Sequence, residues 1–253
     1  MLTVVMIFSL TACSTGFLSD NDMLNVPEDK NPVVTFTLEY DNNDGLGKRI
    51  VELSYVLYYN KAPSTVANFV QLVQSGYYKN KIIHSANMGD GSVENLSYIT
   101  GGQYYIDEND QIVNDKKNYY IKGEFEANQW DKNDMKHVPG VLAMDRISGS
   151  GAVFDTASTA FYMVFNENVE RNGNYCVFGE IVSSKGSLNG GEAVVCEGLW
   201  QRFVNDMFNV STESRSVKDG GTLSNVPEHS VVFTNVTVET FGIDYSKAKV
   251  AKM

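Results

Sequence analysis

Two short runs dense in β-branched and aromatic residues constrain the fold most. Residues 33–40 (V-V-T-F-T-L-E-Y) and 49–58 (R-I-V-E-L-S-Y-V-L-Y) are separated by D-N-N-D-G-L-G. The runs favour extended backbone and the spacer favours a turn, so the pair is expected to form a hairpin. The spacer lacks the alternating ligands and terminal Glu of a calcium loop, so a plain turn is expected. Similar short runs between Gly and Asn turns continue along the chain, and 14 Tyr and 13 Phe provide a large aromatic core. This pattern predicts a mainly β protein with few helices.

Two stretches break the pattern. Residues 62–76 place Pro63 in a first turn, Val66, Phe69, Val70 and Val73 on one face, and Gly76 at the stop. A helix is expected there. A second is expected near 190–207, where Val194, Val195, Leu199, Phe203 and Met207 recur at helical spacing.

The 253 residues suit one large domain or two small ones, and 43% hydrophobic content argues against wholesale disorder. A net charge of -11 disfavours nucleic acid as a partner. Cys13, Cys176 and Cys196 form no C-x-x-C pair, and His84, His137 and His229 show no ligand spacing. Neither a disulfide framework nor a metal site is expected. There is no phosphate loop or dinucleotide glycine pattern, and Gly149-Ser150-Gly151 reads as loop, so no cofactor is expected.

The first ten residues are almost wholly apolar but too short to span a bilayer as a helix. They run into Leu10-Thr11-Ala12-Cys13, which resembles the lipobox of bacterial lipoproteins, although no Lys or Arg precedes the apolar run. The resemblance implies a signal peptide over 1–13, lipidation at Cys13 and a place on the extracytoplasmic side of a bacterial membrane. Residues 14–32 are polar and carry Pro27 and Pro32, and are expected to form a flexible tether.

Downstream blocks carry a second resemblance. Ala62-Pro63-Ser64-Thr65-Val66-Ala67-Asn68-Phe69, Ser75-Gly76-Tyr77-Tyr78 and Ile83-His84 resemble the cyclophilin signature A-P-x-T-V-x-N-F … S-G-x-Y … F-H-R. Ile99-Thr100-Gly101-Gly102, Ile121 to Phe125, Gly140 to Arg146, Thr156 to Met163 and Asn172 to Gly179 resemble later family blocks, in the family's order. Residues 231–238 resemble the closing strand. The resemblance implies a closed eight-stranded β-barrel capped by two helices over residues 33–240, followed by a polar tail over 241–253. It also implies prolyl peptide-bond isomerisation, in which the catalyst must bind the twisted amide better than either planar form.

The family's groove positions are largely changed. His84 matches, but the catalytic Arg position is Ser85. The segment that would carry the first pocket Phe is expanded into residues 86–95, with no Phe. The pocket Met position is Tyr98, the two Gln positions are Thr100 and Ala160, and Phe161 matches. The second pocket Phe is Tyr162, the Trp and Leu positions are Glu170 and Arg171, and the rim His is Tyr175. Arg146 matches the Arg of the bacterial M-A-R motif, whereas Arg171 is new and is a candidate to replace the missing arginine. Asp145 and Glu170 would favour a basic peptide. These changes imply weak isomerase activity and weak cyclosporin binding. The expected role is a monomeric envelope isomerase acting on proline-containing segments of exported proteins. The alternative is a non-catalytic peptide- or protein-binding module on the same barrel.

Overall fold

A computed structural model describes residues 16–45, 47–87, 98–188, 194–195 and 199–253. The predicted hairpin is present as β1 (Val33–Tyr40) and β2 (Arg49–Leu57), and the first helix as α1 (Pro63–Gln74). There follow β3 (Lys81–Asn87), β4 (Tyr98–Ile106), β5 (Ile112–Asn114), β6 (Val141–Met144), β7 (Phe161–Val164), β8 (Val177–Leu188) and β9 (Val194–Val195). The chain ends with α2 (Leu199–Phe208), β10 (Thr212–Ser216), β11 (Thr222–Pro227) and β12 (Val232–Glu239). The strand order is β2-β1-β12-β3-β4-β7-β6-β8, and β8 pairs back onto β2. All these pairings are antiparallel, so the eight strands close into a barrel with no free edge.

Alternation along the strands fills the interior. Val34, Phe36, Leu38 and Tyr40 of β1, and Val51, Leu53, Tyr55 and Leu57 of β2, are buried. Phe36 meets the rings of Tyr55, Phe69, Phe161 and Phe233 at centroid distances of 5.2 to 6.1 Å. Glycines admit this packing: a Cβ on Gly102, where φ is +92°, would stand 2.6 Å from the Phe161 ring. Ala62 offers no side-chain cap for α1. Glu124, sixty residues away, accepts the Ser64 and Thr65 N–H groups at 2.9 Å each. A buried carboxylate thereby satisfies donors that a helix start leaves open. Gly76, at φ +73°, turns the chain out of the helix.

Three segments differ from the sequence reading. Val194 and Val195, expected on a helix face, pair with Gly186 and Lys185, and the described helix α2 runs over Leu199–Phe208. Two adjacent β-branched residues suit a strand, and apolar spacing alone does not separate the two states. Residues 16–32, expected to be a flexible tether, lie against the barrel. Phe17 packs against Trp130 with ring centroids 4.9 Å apart, Val26 is buried, and Tyr59 Oη accepts from the Leu24 N–H. Residues 241–253, expected to be a polar tail, bury Tyr245 beside Tyr59, and Gln71 donates to the Tyr245 and Ala248 carbonyls. The first segment has few apolar residues and the second interleaves its apolar residues with Asp and Lys, but each has some that cover core side chains. Cys13, residues 88–95 of the expanded segment and Cys196 lie outside the described residues.

The sequence reading also passed over an outer layer. The β10–β11 hairpin and β5 cover the barrel wall beside β3, where Ile82, Ile112 and Val226 form a separate small core.

Candidate active site

Register brings much of the expected groove into one row. Ser85 of β3 pairs with Thr100 of β4, Thr100 with Tyr162 of β7, and Tyr162 with Ala143 of β6. Their inward-pointing neighbours Ile99, Phe161 and Met144 belong to the main core, whereas Tyr162 and Ala143 belong to a second cluster with Tyr98 and Tyr175 packed on it. This row therefore lies on the outer wall of the barrel.

Arg171 reaches that wall from the one-turn 3-10 helix Val169–Arg171. Its guanidinium lies 4.2 Å from the Tyr98 ring centroid, 4.8 Å from Tyr162 and 4.3 Å from Tyr175. Its Nη2 donates to Tyr98 Oη at 2.5 Å. Three aromatic rings around one cation make a favourable box. Side chains at two apolar pocket positions, Tyr98 and Tyr162, and at the rim position, Tyr175, therefore surround an arginine that itself stands at the pocket Leu position. Arg146 lies 4.2 Å from the Tyr175 ring centroid and donates to the carbonyls of Asn174, Ile147 and Gly149. These bonds tie the arginine into the loop that precedes Val153. Asp145 interacts electrostatically with Arg171 and Arg146, while burial pushes its carboxyl above the usual range. Burial disfavours its charged form, and the two arginines act on it from within the chain, which weakens half of the case for a basic peptide. Glu170 is exposed on the same turn as Arg171.

His137 was not singled out in the sequence. It is fully buried, its Nε2 lies 2.8 Å from Tyr162 Oη, and its Nδ1 lies 3.2 Å from Asn172 Oδ1. Burial lowers its pKa to about 4, so the ring is neutral at pH 7. It anchors the back of the tyrosine box from a segment between the recognisable blocks, where no spacing marked it. His84 stands apart: its ring packs on Tyr104 at 4.6 Å, and burial lowers its pKa to about 3. Among the described residues it makes no ring contact with Arg171 or the three boxed tyrosines. Ala160 lines a neighbouring cleft of about 220 Å³, together with Asp145, Arg146, Ser158 and Lys116.

Cys176 is buried, with Sγ 3.4 Å from Thr65 Oγ1, and among the described residues it has no disulfide partner. Burial first, and then the Glu124 charge, raise its thiol far above the usual range, so it is inert as a nucleophile. Among the described residues no group of His, Cys, Asp and Glu is arranged to hold a metal ion.

A closed eight-stranded antiparallel barrel with two helices and a candidate groove on its outer wall defines the structural class. The family follows from direct comparison. Residues 44–205 match the sequence profile of cyclophilin type peptidyl-prolyl cis-trans isomerase/CLD, and the chain belongs to that family. It is similar to peptidyl-prolyl cis-trans isomerase A of Dickeya dadantii, 28% identical over 127 residues, covering 48% of this chain and 56% of that protein. It is also similar to peptidyl-prolyl cis-trans isomerase B of Bacillus subtilis, 29% identical over 132 residues, covering 52% and 77%. The match thus spans little more than half the length of the Dickeya protein. Among solved structures, a cyclophilin type isomerase of Cryptosporidium parvum, determined in the presence of the dipeptide Ala-Pro, aligns with a TM-score of 0.49 at 18% identity, over 82% of this chain and 98% of that one.

Proposed function

We propose that this protein is a cell-envelope cyclophilin that holds extended segments of exported proteins and isomerises their prolyl bonds weakly. The observation that carries the reading is the position of Arg171, enclosed by Tyr98, Tyr162 and Tyr175 where the resemblance calls for an apolar proline pocket. Proline-ring binding there requires displacing a boxed cation, and Ser85 supplies no guanidinium for a twisted amide. One charge-assisted hydrogen bond lost in a transition state costs about 1.5–3 kcal/mol, or about one to two decades in rate. Losing the ring pocket costs substrate binding as well. The envelope location rests on Cys13 and its apolar leader, with the lipid anchor as the link to the membrane.

The same observation supports the second reading, in which catalysis is gone and the wall serves as a binding surface only. An isomerisation assay on residues 16–253 with a proline tetrapeptide separates the two. A rate above buffer, but well below that of a family member with the arginine in place, is expected. A rate equal to buffer, with peptide still bound, would establish the binding module. Metabolic labelling with a fatty acid in a bacterial host tests the anchor: label lost in Cys13→Ala is the expected result.

A further inference from the structure

The cleft beside the tyrosine box has a polarity unlike the chain as a whole. It holds about 220 Å³, enough for a side chain, and its wall includes Lys116, Arg146, Ser158, Asp145 and Ala160. Arg146 is a fixed positive charge, because three backbone carbonyls hold its guanidinium. Lys116 is exposed at the cleft and, among the described residues, has no ion-pair partner. Ser158 is 6% exposed, and among the described residues its buried Oγ has no hydrogen-bond partner. A buried hydroxyl without a partner is costly unless something meets it. Asp145 is the carboxylate in the wall, and the charges of Arg171 and Arg146 act on it. With Lys116, Arg146 and Arg171 set against Asp145 and the exposed Glu170, the locality is net positive in a chain of net charge -11.

We infer that this cleft selects a carboxylate, the side chain of a Glu or Asp in the peptide held on the barrel wall, with Lys116 as the pairing charge and Ser158 as a hydrogen-bond donor. The inference rests on the peptide-holding reading and adds the class of residue that the peptide must carry. It also reverses the expectation, drawn from Asp145 and Glu170 in the sequence, that a basic peptide would be preferred. Lys116 and Ser158 are specificity residues, and neither is asked to act in the isomerisation.

The test is calorimetric titration of residues 16–253 with short acetylated proline peptides carrying Glu, Gln or Lys at successive positions before the proline. At one of these positions Glu should bind about fivefold more tightly than Gln, the scale of a partly exposed ion pair, and Lys more weakly than both. Lys116→Gln should abolish the Glu advantage and leave Gln binding unchanged. Ser158→Ala should weaken Glu and Gln peptides together. Equal affinity for Glu and Gln, or a Glu advantage that survives in Lys116→Gln, would overturn the carboxylate assignment while leaving peptide holding intact. Failure of every peptide to bind would overturn both.

Discussion

Ser85 and Arg171 stand on the same wall, and the two positions have different consequences for activity. Ser85 lies in the row with Thr100 and Tyr162, so an arginine introduced there would start on the correct face. Ser85→Arg alone should nevertheless raise the isomerisation rate by less than about threefold, because the pocket is still filled. Combined with Arg171→Leu, which substitutes an apolar side chain for the boxed cation, it should raise the rate by about a further tenfold. A single variant as active as the double would show that Arg171 does not obstruct the pocket. Glu124 carries the second residue-scale consequence. Burial pushes its carboxyl up to about 7 from an ordinary 4.5, against the lowering effect of the Ser64 and Thr65 N–H bonds. Between those values the folded chain keeps a proton that the unfolded chain releases, so this group makes stability fall as pH rises through the window. Glu124→Gln should flatten that slope in urea titrations at several pH values. A variant profile parallel to that of the wild type would show that Glu124 is ionised throughout. His137 and His84 act in the opposite sense: both pKa values are lowered, so acidification below about 6.5 costs stability as the unfolded chain takes up protons first. Ser85 and Arg171 were legible as changes in a motif. The enclosure of Arg171 by three rings was not, because Tyr98, Tyr162 and Tyr175 reach it from three places in the sequence.

At the scale of elements, the N-terminal segment matters most. Residues 16–30 read as linker, yet Phe17, Leu24 and Val26 cover Trp130, Tyr59 and the neighbouring core. Lys132 and Lys249 pair with Asp20 and Asp22, which adds little at exposed positions. A domain started at Asn31 should therefore be less stable than one started at Gly16 by about 2–4 kcal/mol, the scale of burying two or three apolar side chains. Thermal melting should show a midpoint lower by about 5–15 °C. Equal midpoints would mean that the segment lies on the barrel without stabilising it. The helix α1 was plain in sequence because Pro63, its apolar face and Gly76 are all local signals. The start of α2 was not, because Val194 and Val195 fit both periods. The β10–β11 hairpin was missed for a related reason. Its exposed charged residues carry little alternation, and its stability comes from contact with Ile82 and Ile112 on another part of the chain.

For the whole molecule, closure is the deciding feature. Phe36 touches rings from β2, α1, β7 and β12, so elements distant in sequence share one packed centre. Phe36→Ala should cost about 3–5 kcal/mol and shift the near- and far-ultraviolet dichroism transitions together. If only the aromatic signal moved, the barrel would be stable without its centre. Local signals along the chain establish that the protein is mainly β, where the first hairpin and first helix lie, and which family blocks occur in which order. Those properties depend on local propensity and on patterns only a few residues long. The tertiary structure decided that β8 closes onto β2, that both terminal segments pack, and that Arg171 fills the box. It also decided that Asp145 is buried within the field of the chain's own arginines, while among the described residues Lys116 has no ion-pair partner beside the cleft. The physical reason is common to all of these: each depends on which side chains meet across long sequence separations, and charge and burial are properties of that meeting.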